Sequence, residues 1–169
     1  MTRLYILCGY PFAGKSTVAR LLMRKYRMVR IALDEINAER GIGNSFDRTM
    51  TPNEWQETYD IYHERIAANL HRGHSVIVDT VGHTREGRDG LREIAQEHNA
   101  EAVVLYLATP LAIAEERWLN NRKTKERADV RDDDFYRVVN NFEIPGDDEH
   151  VKIITPDMNI QEVYGLIEQ

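Results

Sequence analysis

The chain has one cysteine, Cys8, so no internal disulfide can form and a cross-linked scaffold is excluded. Cys8 is expected to be a small buried apolar side chain at a strand end, and a reducing cytoplasm suits it. No apolar run approaches the roughly 18 residues of a membrane span. The opening MTRLYILCGY lacks the apolar length and the small-residue cleavage site of a signal peptide. Positive charge is short as well: the formal net charge is −6. That argues against a protein that coats nucleic acid, which carries a basic face, and leaves room for a local basic pocket. Lysine is scarce, since 17 of the 22 basic residues are arginine. Arginine forks suit bidentate phosphate recognition; genomic composition explains the same bias. There is no repeat, no low-complexity tract and no obvious linker, and 169 residues suit one domain, 1–169.

What the chain does have is an alternation of short apolar runs and helical stripes. Strand-like runs fall at residues 4–8, 28–33, 75–78, 102–107 and 151–154. The first helix is expected to run from the intervening glycine stretch to about Tyr26, with Val18, Leu21 and Leu22 inward. TPNE at 51–54 predicts a helix start, with Thr51 as cap, Pro52 in the first turn and Glu54 completing a capping box. That helix carries Trp55, Tyr59, Tyr62, Ile66 and Leu70, and Gly73 can end it. Further helices follow Thr84, begin near Pro110 with Ala114 and Trp118 inside, follow the acids at 132–134, and carry Ile160, Val163, Tyr164 and Ile167. Continuous apolar strands are buried on both faces, which implies a parallel sheet covered by helices on both sides. Two longer inserts, 34–50 and 120–134, follow strand or helix ends. In open α/β folds ligands bind beyond the carboxyl ends of the strands.

Residues 9–17 read GYPFAGKST, and Gly9, Gly14, Lys15 and Ser16 meet the pattern G-x-x-x-x-G-K-[ST]. A strand before it and a helix after it are the right setting. Gly9, Tyr10, Pro11, Phe12, Ala13, Gly14, Lys15, Ser16 and Thr17 would surround nucleotide phosphates at a helix N-terminus, every one but Pro11 offering a backbone N–H. Lys15 would reach the β- and γ-phosphates of ATP, and Ser16 would offer a hydroxyl to Mg2+. The bland alternative is a glycine turn. SVIVD ends in Asp79, placed as a Walker B carboxylate for Mg2+ or its water shell, or as a cap.

Asp34 follows the second strand, on the same sheet edge. It suits a base that takes the proton of an attacking hydroxyl, with a helix cap or a magnesium-water ligand as alternatives. Arg117, Arg122, Lys123, Lys125, Arg127 and Arg131 crowd the segment before the acids at 132–134. A basic lid there would close over ATP and neutralise the transferring phosphoryl group; a solvated charged face is the usual fate of such a run. Arg122 and Arg127 are the expected catalytic arginines, with Arg117 next, on the nucleotide. Arg85 and Arg88 either bind an anionic acceptor or decorate a helix start. His71 and His74 lack the partners of a metal site. Residues 147–149 read as a solvated acidic turn, and 132–134 as a helix start favoured by the macrodipole.

Taken together, the loop at 9–16, Asp34, VIVDT at 76–80, the arginine-rich segment at 117–131 and FYRVVNNFEIP at 135–145 resemble the small P-loop kinases. The nearest group is the polynucleotide-kinase-like and zeta-toxin-like ATP-dependent kinases, which includes chloramphenicol phosphotransferase. The resemblance runs from Leu4 to Ile154. It implies a three-layer α/β/α P-loop fold with a five-stranded parallel sheet in order 2-3-1-4-5 and a lid at about 120–134. It also implies transfer of the ATP γ-phosphate to a hydroxyl, with Asp34 as base and lid arginines on the phosphoryl group. The loop departs from the group's G-x-P-G-S-G-K-S form: Phe12 and Ala13 stand where small residues and glycine are usual, so Phe12 must take the loop conformation without glycine's freedom. A small-molecule acceptor is favoured over a nucleic-acid 5′ end by the acidic net charge. The competing function is a nucleotide-dependent regulatory switch acting through a protein partner. The chain lacks an N-K-x-D guanine signature, and it is too short for the helical domain that a chaperone-type AAA machine adds.

Overall fold

The computed structural model describes residues 1–42 and 49–168. Five parallel strands, β1 (Arg3–Cys8), β2 (Val29–Ala32), β3 (Val76–Asp79), β4 (Glu101–Leu107) and β5 (Val151–Ile154), form one sheet in the order β2-β3-β1-β4-β5. That is the expected order. β1 lies at the centre, and its alternate residues explain its unbroken apolar run. Leu4, Ile6 and Cys8 face one helical layer, while Tyr5 and Leu7 face the other.

Seven α-helices are described: α1 (Lys15–Tyr26), α2 (Leu33–Glu39), α3 (Pro52–His71), α4 (Arg85–Glu97), α5 (Leu111–Thr124), α6 (Asp132–Asn140) and α7 (Ile160–Glu168). On one side of the sheet, Tyr62, Ile66 and Leu70 of α3 and Leu91 and Ala95 of α4 pack on β1 and β3. On the other side, Ala19 and Leu22 of α1 and Val163 and Ile167 of α7 pack against β1 and β4. Burying these faces drives the assembly, at about 25 cal/mol for each Å2 of apolar surface removed from water. A smaller third cluster of Trp118, Val130 and Phe135 ties α5 to α6.

The predicted start of α3 is present in full. Glu54 N–H donates to Thr51 Oγ1 at 3.3 Å, Glu54 Oε2 accepts from Thr51 N–H at 2.8 Å, and Pro52 opens the helix. The two inserts are shorter than the sequence pattern suggests. Leu33 ends the apolar run but begins α2, whose first turn carries Asp34 and Glu35 as the macrodipole favours. Part of the 34–50 insert, residues 43–48, lies outside the described residues. In the second insert, α5 continues through Thr124 and α6 begins at Asp132, leaving 125–131 between them.

Candidate active site

At the carboxyl edge of β1 the chain turns through residues 9–14 into α1. Gly9 has φ 151° and approaches β4 so closely that a Cβ would lie 3.0 Å from the Leu107 carbonyl oxygen. Gly14, the residue before α1, has φ 103°. Both positions thus demand glycine. Lys15 is only 8 % exposed and folds back over the loop, its Nζ donating to the carbonyls of Gly9 (2.8 Å) and Tyr10 (2.6 Å). Burial lowers its pKa to about 8, against the opposing pull of the Asp79 carboxylate.

Ser16 Oγ donates to Asp79 Oδ1 at 3.3 Å, so the hydroxyl and the carboxylate expected around Mg2+ do meet. The second carboxylate oxygen, Oδ2, accepts from Arg30 Nε (3.0 Å) and a terminal guanidinium nitrogen (2.7 Å). Arg30 was not among the residues expected here. Its signal was an arginine inside the otherwise apolar run MVRIALDE, and the register that sets Ala32 beside Asp79 brings it into reach. A hydroxyl and one carboxylate oxygen are hard donors that fit a Mg2+ otherwise bound by phosphate and water. Among the described residues no group of three or more His, Cys, Asp or Glu is placed to hold a metal by itself; His71 and His74 are both exposed.

Asp34 sits in the first turn of α2 beside this pair. Asp34 is open to solvent on one side; partial desolvation by the surrounding site, and then the negative charge of Asp79, raise its pKa above the ordinary carboxylate value, while Arg30 pulls the other way. Tyr62 of α3 is buried in the same layer, and its hydroxyl has no hydrogen-bond partner among the described residues.

The arginines divide. Arg117 NH1 donates to the carbonyl oxygens of Phe12 (3.3 Å) and Ala13 (3.5 Å), and Arg127 NH2 reaches 3.5 Å from Thr17 Oγ1. Arg122 goes elsewhere: it pairs with Asp129 and Asp132, donates to the Val130 carbonyl at 3.2 Å, and lies 4.3 Å from the centre of the Trp118 ring. The helix explains the split. Arg117 and Arg122 are five residues apart, about 140° around α5, so they cannot share a face. Arg122, expected to act on the phosphoryl group, here turns toward the 125–131 segment and not toward the loop.

Arg88 does not decorate a surface: it is fully buried and chelates Glu149 with Nε and a terminal nitrogen, at 2.6 and 3.0 Å. Its remaining nitrogen donates to the carbonyls of Gly82 (2.8 Å) and Glu143 (3.0 Å). Glu149, expected in a solvated acidic turn, is 1 % exposed because it answers that charge. Arg85 is half-exposed and pairs with Asp89 (2.8 Å) and Asp148 (2.6 Å).

Beside the loop opens a cleft of about 460 Å3. Phe12, Gly14 and Thr17 line one wall, Arg117 and Arg127 another, and Thr155 after β5 a third. A family model described as AAA domain matches residues 4–145. The chain belongs to the AAA domain family. No curated protein matched. Among solved structures, the APS kinase of Mycobacterium tuberculosis in complex with AMPPNP and APS superposes with TM-score 0.72 at 20 % identity, covering 99 % of this chain and 98 % of that one. A gluconokinase from Sinorhizobium meliloti 1021 gives 0.68 at 17 % identity, covering 98 % and 92 %. Kti12 of Chaetomium thermophilum in complex with ADP-AlF3 gives 0.70 at 19 % identity, covering 98 % and 95 %. The fold of this AAA-domain protein is thus that of the small P-loop kinases.

Proposed function

We propose that this chain is an ATP-dependent kinase that moves the γ-phosphate of ATP to a hydroxyl, and that residues 1–169 act as one kinase domain with its lid at 125–131. The convergence of Lys15, Ser16 with Asp79, Arg117 and Arg127 on one loop, with Asp34 alongside, carries this reading. In this scheme the cleft takes the nucleoside, and backbone N–H groups of residues 9–17 hold the phosphates. Lys15 exchanges its two carbonyl partners for phosphate oxygens, and its burial makes that charge worth neutralising. Ser16 and Asp79 would hold Mg2+, which would neutralise phosphate charge. Arg30 keeps Asp79 oriented.

Asp34 orients the acceptor hydroxyl and takes its proton as the oxygen–phosphorus bond forms and the bond to ADP breaks. Its raised pKa brings it closer to the optimum for that task. Arg127 faces the phosphoryl group, and Arg117 fixes the loop and borders the nucleotide. A small-molecule hydroxyl acceptor in the cytoplasm is the favoured substrate, with a nucleic-acid 5′ end less favoured. No helix among the described residues is long and apolar enough to cross a membrane.

The test is incubation with γ-labelled ATP and a panel of 5′-hydroxyl oligonucleotides, nucleosides, sugars and antibiotics. Label should appear on one acceptor class, and not with Lys15→Ala. Slow hydrolysis alone, with nucleotide-dependent capture of a protein partner, would instead mark a regulatory switch.

A further inference from the structure

Phe12 is the residue of the phosphate loop that the scheme above leaves without a task. Its backbone is left-handed, φ 63°, a region that residues with side chains rarely adopt. A glycine would fit that geometry more easily. The side chain does not point idly into solvent: it packs against the buried cluster of Trp118, Val130 and Phe135, where the Trp118 and Phe135 rings stack at 4.1 Å. Its carbonyl oxygen accepts from Arg117.

The same cluster anchors the lid. Trp118 Nε1 and Arg122 both donate to the Val130 carbonyl, at 2.8 and 3.2 Å. At the other end of the segment, Asn121 clasps Arg127 through two bonds, 3.1 and 3.0 Å. The lid is therefore tied at both ends, with Arg127 at one clasp and Phe12 pressed against the other.

We propose that Phe12 is a positioning residue that couples occupancy of the phosphate loop to the placement of the lid and of Arg127. The proposal rests on the kinase reading. When phosphates order the loop backbone, the Phe12 ring moves with it and shifts the Trp118 cluster. Glycine at this position would relieve the backbone and still bind nucleotide, but would cut the link.

Trp118 is a built-in reporter once Trp55 is replaced by Phe. In that background, Mg-AMPPNP binding is followed by calorimetry and by Trp118 emission. The parent is expected to bind and to change emission. Phe12→Gly is expected to bind within about threefold of the parent while losing most of the emission change, and its turnover of ATP should fall about tenfold or more with KM for ATP little altered. Phe12→Leu, which restores an apolar ring-sized contact in part, should recover much of both. An unchanged Trp118 response in Phe12→Gly overturns the coupling, and so does loss of AMPPNP binding in that variant, which would make Phe12 a determinant of the loop alone. A parent that binds AMPPNP without a Trp118 response refutes the coupling and leaves the kinase reading intact. A parent that binds no AMPPNP refutes the nucleotide site itself.

Discussion

Replacing Arg88 by Met removes one end of a fully buried ion pair. In the folded chain its guanidinium makes five hydrogen bonds: two to the Glu149 carboxylate (2.6 and 3.0 Å), one each to the carbonyls of Gly82 (2.8 Å) and Glu143 (3.0 Å), and a long one to Cys8 Sγ (4.0 Å). Without them, Glu149 keeps the Gly146 N–H at 2.8 Å and a longer approach from Arg85 at 3.7 Å. A carboxylate stranded in this way costs about 3–5 kcal/mol. Set against a typical total of roughly 5–15 kcal/mol, that is a large share. At roughly 2–4 °C per kcal/mol for a chain of this size, the melting temperature should drop by about 6–20 °C. Urea denaturation measures the loss directly, with an unchanged slope expected. Arg88→Met combined with Glu149→Leu should recover part of it, since the stranded charge is gone. Burial pushes the Glu149 carboxyl up, but the Arg88 hydrogen bonds and the Gly146 N–H outweigh it and hold the pKa below its ordinary value. The stability from this pair is therefore present above the ordinary glutamate pKa and is lost as pH falls through the depressed one. A cost below about 1 kcal/mol for Arg88→Met, or a double variant that loses the sum of the two single losses, would refute this reasoning.

Tyr62→Phe removes a buried hydroxyl that has no partner among the described residues, so chemical denaturation should show a gain of about 1 kcal/mol instead of a loss. Arg127→Ala and Arg122→Ala should separate: the first lowers phosphoryl transfer about tenfold or more, while the second lowers melting temperature with a smaller effect on the chemical step once folded, as single-turnover kinetics would show. Thr51→Ala breaks the capping box of α3 and should cost about 1 kcal/mol in urea.

Much of this arrangement is legible in the sequence because its causes are local. Apolar runs mark strands buried on both faces, TPNE marks a capped helix, and GYPFAGKST carries its glycines where φ requires them. The 2-3-1-4-5 order came from a family resemblance, since nothing in a strand's composition names its neighbour. Long-range pairing was the harder part. Arg88 and Glu149 are separated by 61 residues, and each alone has the composition of a surface position. Only packing makes them a buried pair. Arg30 meets Asp79 through strand register, which one strand cannot announce. Arg117 and Arg122 are alike in sequence, and the turn of α5 decides which faces the loop. Phe12 was recognisable as unusual, but its partners at 118, 130 and 135 became visible only when α5 and α6 were folded over it.

The most direct test of the kinase reading is the pH dependence of transfer with Asp34→Asn beside the parent. Partial desolvation and the Asp79 charge raise the Asp34 pKa, and the carboxylate form is the one that accepts a proton. The parent rate should therefore fall on the acid side through a midpoint above the ordinary carboxylate value. Asp34→Asn should lower transfer by about a hundredfold or more, abolish that acid limb, and leave nucleotide affinity nearly unchanged. Transfer by Asp34→Asn at the parent rate, with the same acid limb, would contradict the assignment of Asp34 as the base and with it the account of this edge of the sheet as a phosphoryl-transfer site.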